Sequence, residues 1–279
     1  MSQINVGIVG AGFVGKAVAH GFREQNLFIA DPVIGTSTKD LLDKKLDVVF
    51  ICVSTPMGTN GEIDISNVAQ VLFDLSKMST LLVLKSTVTP KHVEFFSKKY
   101  YNFVYNPEFL TERNALWDFE NPISNVYGGD RLWTQELEAI YLNHSTCQPA
   151  NTFHMTAAEA SFVKYAMNSY LASKVVFFNQ LHDLVDSTGY SFENVRAAVA
   201  NDSRIGDSHT NVPGFDGRKG TSGPCFGKDV PAFIRYSQEQ GEELTVLKET
   251  WNVNCDYRNA YSAPLPREQE QHIEFNKIV

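Results

Sequence analysis

Residues 4–15 read INVGIVGAGFVG, a β-branched run followed by three glycines and the start of an apolar helical pattern. Gly10, Gly12 and Gly15 have GxGxxG spacing, which carries weight only when it follows a strand and opens a helix, as here. The first glycine permits a tight turn. The second lets backbone approach a pyrophosphate, and the third lets helix pack on strand. Phe13 and Val14 lie between them, where free N–H groups at a helix N-terminus favour a phosphate. The next apolar run, LFIAD (27–31), ends at Asp31, where a carboxylate accepts from an adenosine ribose and repels a 2′-phosphate. The following PVIG offers no arginine to reverse that preference, so the expected cofactor is NAD.

Working outward, further short runs occur at DVVFICV (47–53), LLVLKST (81–87) and NFVYN (102–106), separated by helical stretches. Apolar runs of this length predict a parallel sheet covered on both faces. The fold class expected is α/β, a doubly wound Rossmann-type domain over 1–150, followed by an all-helical dimerisation domain over 151–279. In the second half a long helix is expected through TAAEASFVKYAMNSYLASKVVFFNQLHDLVDSTG, then a short one at FENVRAAVAND. An irregular loop follows over about 205–226, with two further helices over 229–239 and 243–260. The tail SAPLPREQEQHIEFNKIV is polar and predicts loose chain.

The totals narrow the function classes. The chain has 279 residues and a formal net charge of −8, which argues against a broad nucleic-acid surface. No apolar run reaches membrane-span length and no leader precedes the first strand, so a cytoplasmic protein without membrane contact is expected. Four scattered cysteines, at 52, 147, 225 and 255, have neither metal-ligand nor disulfide-scaffold spacing, so no metal is expected.

Several residues carry candidate chemistry. Ser54 and Thr55 of VSTP, and Ser86 and Thr87 of KSTVTP, lie at strand ends where ligands of such sheets bind; they read equally as helix caps. Glu108 and Glu112 of NPEFLTERNA share a face if helical, and solvated surface is the plainer reading. Lys164 and Asn168 of KYAMN stand four apart among apolar neighbours, a setting for an acid–base lysine or for a snorkelling one. Cys225 sits in a glycine-rich loop, TSGPCFGKDV, three residues before Lys228 and Asp229; a thiol kept for packing would sit in a strand or helix.

The ordered set GAGFVG, VSTP, KSTV, NPEFL, KYAMNSYLASK, RIG and GPCFGKD resembles the UDP-glucose/GDP-mannose dehydrogenase family over roughly residues 4–258. The resemblance implies NAD-dependent oxidation of the C6 alcohol of a nucleotide sugar to a carboxylate. In it Cys225 is the nucleophile, forming a thiohemiacetal and then a thioester. Lys164 and Asn168 stabilise the oxyanion, and Asp229 and Thr87 order a proton-transferring water. Glu108 assists hydrolysis, with Glu112 a weaker candidate. Arg204 of RIG reaches the sugar site of a neighbouring subunit, which implies a homodimer, and Lys228 joins the substrate site.

The chain also departs from the family pattern. SGPCFGKD replaces the usual GGSCFPKD, and Thr111 stands where a basic residue is usual. The chain ends soon after LTVLKETWNVNCDYR, where the family continues into a nucleotide-binding third domain. Arg218 and Lys219, in GFDGRKGTSG, are therefore candidates to hold the diphosphate, or else a solvated loop tip. Two alternatives stay open: a two-electron hydroxyacid-type dehydrogenase, against which Cys225 argues, and a non-catalytic NAD-binding subunit.

Overall fold

A computed structural model describes residues 2–278. The strands are β1 (Asn5–Val9), β2 (Asn26–Ala30), β3 (Val48–Ile51), β4 (Leu81–Leu84), β5 (Phe103–Tyr105), β6 (Ser124–Gly129) and β7 (Asn151–Met155). The helices are α1 (Phe13–Gly21), α2 (Lys39–Leu42), α3 (Ser66–Asp74), α4 (Pro90–Lys99), α5 (Ala115–Glu120), α6 (Arg131–His144), α7 (Ala157–Ser187), α8 (Phe192–Ala200), α9 (Gly223–Glu239), α10 (Thr245–Asn259) and α11 (Pro266–Glu270). The described residues form two compact units, the first from 2–55 with 64–164, the second from 56–63 with 165–278.

In the first unit the seven strands run in the order β2-β1-β3-β4-β5-β6-β7. Pairing is parallel from β2 across to β5, antiparallel between β5 and β6, and parallel again between β6 and β7. Alternation along each strand divides the core between two faces. Val6, Ile8, Val48, Phe50, Val83 and Val104 pack with α1, α5 and α6 residues such as Val18, Phe119 and Leu137. Val49, Ile51, Leu82, Leu84 and Tyr105 pack with α3 and α4 residues such as Leu72 and Phe96. Most of these side chains are fully buried, each stabilising by about 1.5–3 kcal/mol against exposure. This is the doubly wound sheet expected.

Two strands exceed the five apolar runs. β6 contains Ser124, Asn125 and two glycines, and β7 is a half-exposed edge reading NTFHM, so neither has the pattern of a buried parallel strand. Because β7 pairs with β6, the sheet unit continues beyond residue 150 and takes in the first turns of α7 to Lys164.

The second unit is helical, with a core of Ala172, Val230, Ile234, Leu247, Trp251, Cys255 and Ile278. Its tail corrects the sequence expectation: residues 266–278 are ordered, not loose. The Trp251 indole donates to Asn276 O at 2.8 Å, and the Ile278 N–H to Asn252 Oδ1 at 2.9 Å. Arg258, 4% exposed, donates to Asp216 Oδ2 and to Glu268 Oε1, each at 2.8 Å, and Glu268 is wholly buried. Polar composition hid this because the charges pair inward. Removing one partner of a buried pair leaves an uncompensated charge and typically costs about 3–5 kcal/mol. Arg258→Met is therefore expected to lower the unfolding free energy extrapolated from urea titration by about 3–5 kcal/mol, and a value within experimental error of the original would show the pairing to be inconsequential.

Candidate active site

The carboxyl ends of the central strands gather the first group of candidate residues. Gly10 has φ +94°, and a β-carbon there would lie 2.7 Å from Cys52 O of the neighbouring strand end. One at Gly15 would lie 1.8 Å from Gly10 O, so α1 can begin only this close to β1 without a side chain. Gly12 differs: a β-carbon there would meet nothing within 4 Å. The space beside it is open, and α1 has no side-chain N-cap, a kind of helix start that favours a phosphate. Phe13 and Val14 are the first two residues of that helix. Asp31 Oδ2 accepts from Ala11 N–H at 2.6 Å and Oδ1 from Val33 N–H at 2.8 Å, fixing its carboxylate beside the glycine turn. These residues fit a dinucleotide.

Around that turn Thr55, Ser86 and Thr87 are buried, while Ser54 is exposed and receives Asn67 Nδ2 on its carbonyl. Ser86 Oγ donates to Val53 O at 2.6 Å, tying the β4 end to the β3 end. Neither pair caps a helix through its side chain.

The segment after β5 is not helical, so Glu108 and Glu112 do not share a face. Glu112 is exposed, whereas Glu108 is 7% exposed, which corrects the surface reading for Glu108. Lys164, 3% exposed, donates to Glu108 O at 2.6 Å and to Glu108 Oε1 at 2.8 Å; Oε2 accepts from Leu110 N–H at 2.8 Å. Burial pushes the Glu108 carboxyl up, but the Lys164 charge and these hydrogen bonds outweigh it and hold the group below its ordinary value. Lys164 is thus an ion-pair partner, not a snorkelling side chain.

In the second unit Cys225 is not in a loop. It is the third residue of α9, whose start tolerates Pro224 because first-turn N–H groups have no intrahelical partner. Asp229 follows one turn later, 1% exposed. Its Oδ1 accepts from Lys228 Nζ at 2.6 Å and its Oδ2 from Asn168 Nδ2 at 2.7 Å. Arg204 is exposed and paired with Asp202, and the RIG segment is held by Lys174, whose Nζ donates to Ile205 O and Gly206 O. Arg218 and Lys219 are not a solvated tip. Arg218 donates to Ala263 O over the Tyr261 ring, and Lys219 pairs with Asp183.

Comparison with known proteins identifies the family. Residues 35–144 match the NAD binding domain of the UDP-glucose/GDP-mannose dehydrogenase family, and residues 158–256 match that family's central domain. The chain belongs to this family. It is 31% identical to a UDP-glucose 6-dehydrogenase of Pseudomonas aeruginosa, over 86% of this chain and 63% of that one. It is 34% identical to a UDP-glucose 6-dehydrogenase of Rickettsia bellii, over 68% of this chain and 44% of that one. A solved UDP-glucose dehydrogenase from Pyrobaculum islandicum superposes with TM-score 0.78 at 27% identity, covering 91% of this chain and 68% of that one. The chain thus spans about half to two thirds of the curated relatives it matches. The cofactor of the matched first domain is NAD. Among the described residues no helix is long and apolar enough to cross a membrane.

Some of the family member's buried polar residues escaped the sequence reading. Lys174, Asn179 and Asn254 are among them, and so is Lys85, immediately before Ser86 in KSTVTP. Lys85 donates to Asn106 Oδ1 at 2.9 Å and faces the Phe119 ring, while Tyr141 also donates to Asn106 Oδ1. Nothing in composition separates such a lysine from a surface one. Burial lowers the Lys85 ammonium from 10.5 to about 8, with Glu108 and the thiols of Cys52 and Cys147 opposing the shift and Lys164 adding to it. Between pH 8 and 10.5 the unfolded chain still holds a proton that the folded chain has released, so stability rises with pH across that window. Below it the folded protein bears a cost of roughly 3 kcal/mol. Lys85→Met is expected to remove that part of the pH dependence and to raise stability at pH 7. Urea titrations from pH 7 to 10.5 measure this, and parallel curves for the two proteins would contradict it.

Proposed function

We propose that this chain oxidises the C6 alcohol of a nucleotide sugar of the UDP-glucose kind to the carboxylate, with Cys225 as covalent nucleophile. The observation that carries the reading is the start of α9: Cys225 and Asp229 stand one turn apart, and the buried Asp229 carboxylate binds both Lys228 and Asn168. Simple alcohol oxidation needs no thiol, whereas capture of an aldehyde does. The relatives' names support the substrate class.

Bound NAD supplies the hydride acceptor, two equivalents for the change from alcohol to carboxylate. Asp229, with Thr87, takes the alcohol proton through an ordered water. The Cys225 sulfur adds to the aldehyde carbon, and the helix N-terminus favours an anionic sulfur at that position. Lys164 and Asn168 stabilise the oxyanion of the thiohemiacetal. Loss of the second hydride leaves a thioester, which water hydrolyses, returning the thiol. Glu108, held ionised by Lys164, is the base for that water; exposed Glu112 is the weaker candidate. Lys228 and Arg204 contact the substrate. Arg218 and Lys219 take its diphosphate by exchanging their present partners.

The second copy is part of the proposal. On α7, Met167, Tyr170, Phe177 and Leu184 are all at least 41% exposed, an apolar stripe suited to a homodimer that delivers Arg204 in trans.

Stoichiometry, two variants and cofactor preference test this. With UDP-glucose, two NADH should form per molecule of acid; one would indicate two-electron chemistry, and none a binding subunit. Cys225→Ala should abolish acid formation with NAD affinity within about twofold, and Lys164→Ala should slow turnover by about a hundredfold or more. Acid formation by Cys225→Ala at the original rate would overturn the covalent mechanism. Asp31 should favour NAD over NADP by at least about tenfold, or about 1.4 kcal/mol, in kcat/KM; equal values would remove its assigned role.

A further inference from the structure

The segment leading into Cys225 cannot fix its own conformation. Gly217, Gly220 and Gly223 all adopt left-handed φ, of 75°, 82° and 81°, and glycine gains little from any one backbone state. Two side chains on the long helices hold it instead. Asn179 of α7 accepts Gly220 N–H on Oδ1 at 3.1 Å, and Asn254 of α10 accepts Thr221 N–H on Oδ1 at 2.6 Å. Both amides are 1% exposed. Asn179 Nδ2 donates back to Val175 O at 2.8 Å, which aims its oxygen at the loop. Asn254 Nδ2 is buried without a partner among the described residues, so this position bears an unsatisfied donor while its oxygen serves the loop. The fit is close: a β-carbon on Gly220 would lie 2.6 Å from Asn254 Oδ1 and 3.1 Å from Tyr257 Cβ.

We propose that Asn179 and Asn254 are positioning residues for the nucleophile: two rigid acceptors on consecutive N–H groups that set where α9 begins and hence where the Cys225 thiol points. This rests on the reading of Cys225 as nucleophile. Both residues act through the Gly220–Thr221 backbone, and neither contacts substrate in this scheme. At Asn254 only the amide oxygen is engaged, so aspartate, which keeps an acceptor at the same place, is the informative replacement there.

The test needs no substrate in its first arm. Iodoacetamide alkylation of Cys225 is followed by peptide mass spectrometry across pH 6–10, with Cys147 of the other unit as internal control. Asn254→Leu and Asn179→Leu are expected to change the Cys225 alkylation rate about tenfold or more and to displace its pH profile. Cys147 should be unaffected, and Asn254→Asp should restore most of the original profile. In the second arm, kcat with UDP-glucose should fall at least about tenfold in the leucine variants, with KM for NAD within about twofold. If Asn254→Leu does not fold, Asn179→Ala on the other helix carries the test. Folded leucine variants with the original Cys225 profile would overturn the proposal, as would an aspartate variant no better than leucine. If the unaltered protein oxidises no nucleotide sugar, the functional reading fails, and the alkylation arm still decides the positioning role.

Discussion

The contact between residue 15 and the carbonyl of Gly10 constrains the sheet unit more tightly than any other. With 1.8 Å between that oxygen and any β-carbon at residue 15, the turn after β1 exists only as glycine. Because α1 starts there, the helix lies against β1 and β3, and the open side of the same turn falls at Gly12. Steric exclusion at one glycine and vacancy at another thus arise from a single backbone path. The carboxyl ends of β3, β4 and β5 then gather around it, bringing Thr55, Lys85 to Thr87 and Asn106 to Glu108 to one edge of the sheet.

Electrostatic pairing plays the corresponding part deeper in each unit. Glu108 with Lys164, Asp229 with Lys228 and Asn168, and Arg258 with Glu268 are all buried, with Asp216 half-buried beside Arg258, and each is satisfied by partners of opposite charge or by amides. Buried ion pairs of this kind seldom add much stability over an apolar replacement. Their value lies in geometry, since each fixes a carboxylate that the proposed chemistry uses or a loop that carries it. Lys85 is different in kind, a buried cation hydrogen-bonded to a neutral amide.

The sheet, its two covering layers and the glycine turn were legible in the sequence because periodicity and spacing encode them locally. The five apolar runs correspond to β1–β5. β6 and β7 were not legible, since glycines and an exposed edge leave no hydrophobic run to detect. The start of α9 was masked by Gly223 and Pro224, which read as loop although both suit a first helical turn. Glu108 and Glu112 look alike on the page, and only tertiary burial against Lys164 separates them. The same holds for the tail, where Arg258 turns acidic residues inward. Long-range pairing leaves no local signature.

Arg258 also bears on the order in which the protein can be made. It joins Asp216, forty-two residues earlier, to Glu268, ten residues later. Chains emerge N-terminus first and fold as units, and contacts between distant residues wait for their slower partner. The sheet unit is complete once residue 164 has appeared. The loop that leads to Cys225 is thus tied through Asp216 and Arg258 to a segment synthesised last, whereas the sheet unit draws only on residues made before it.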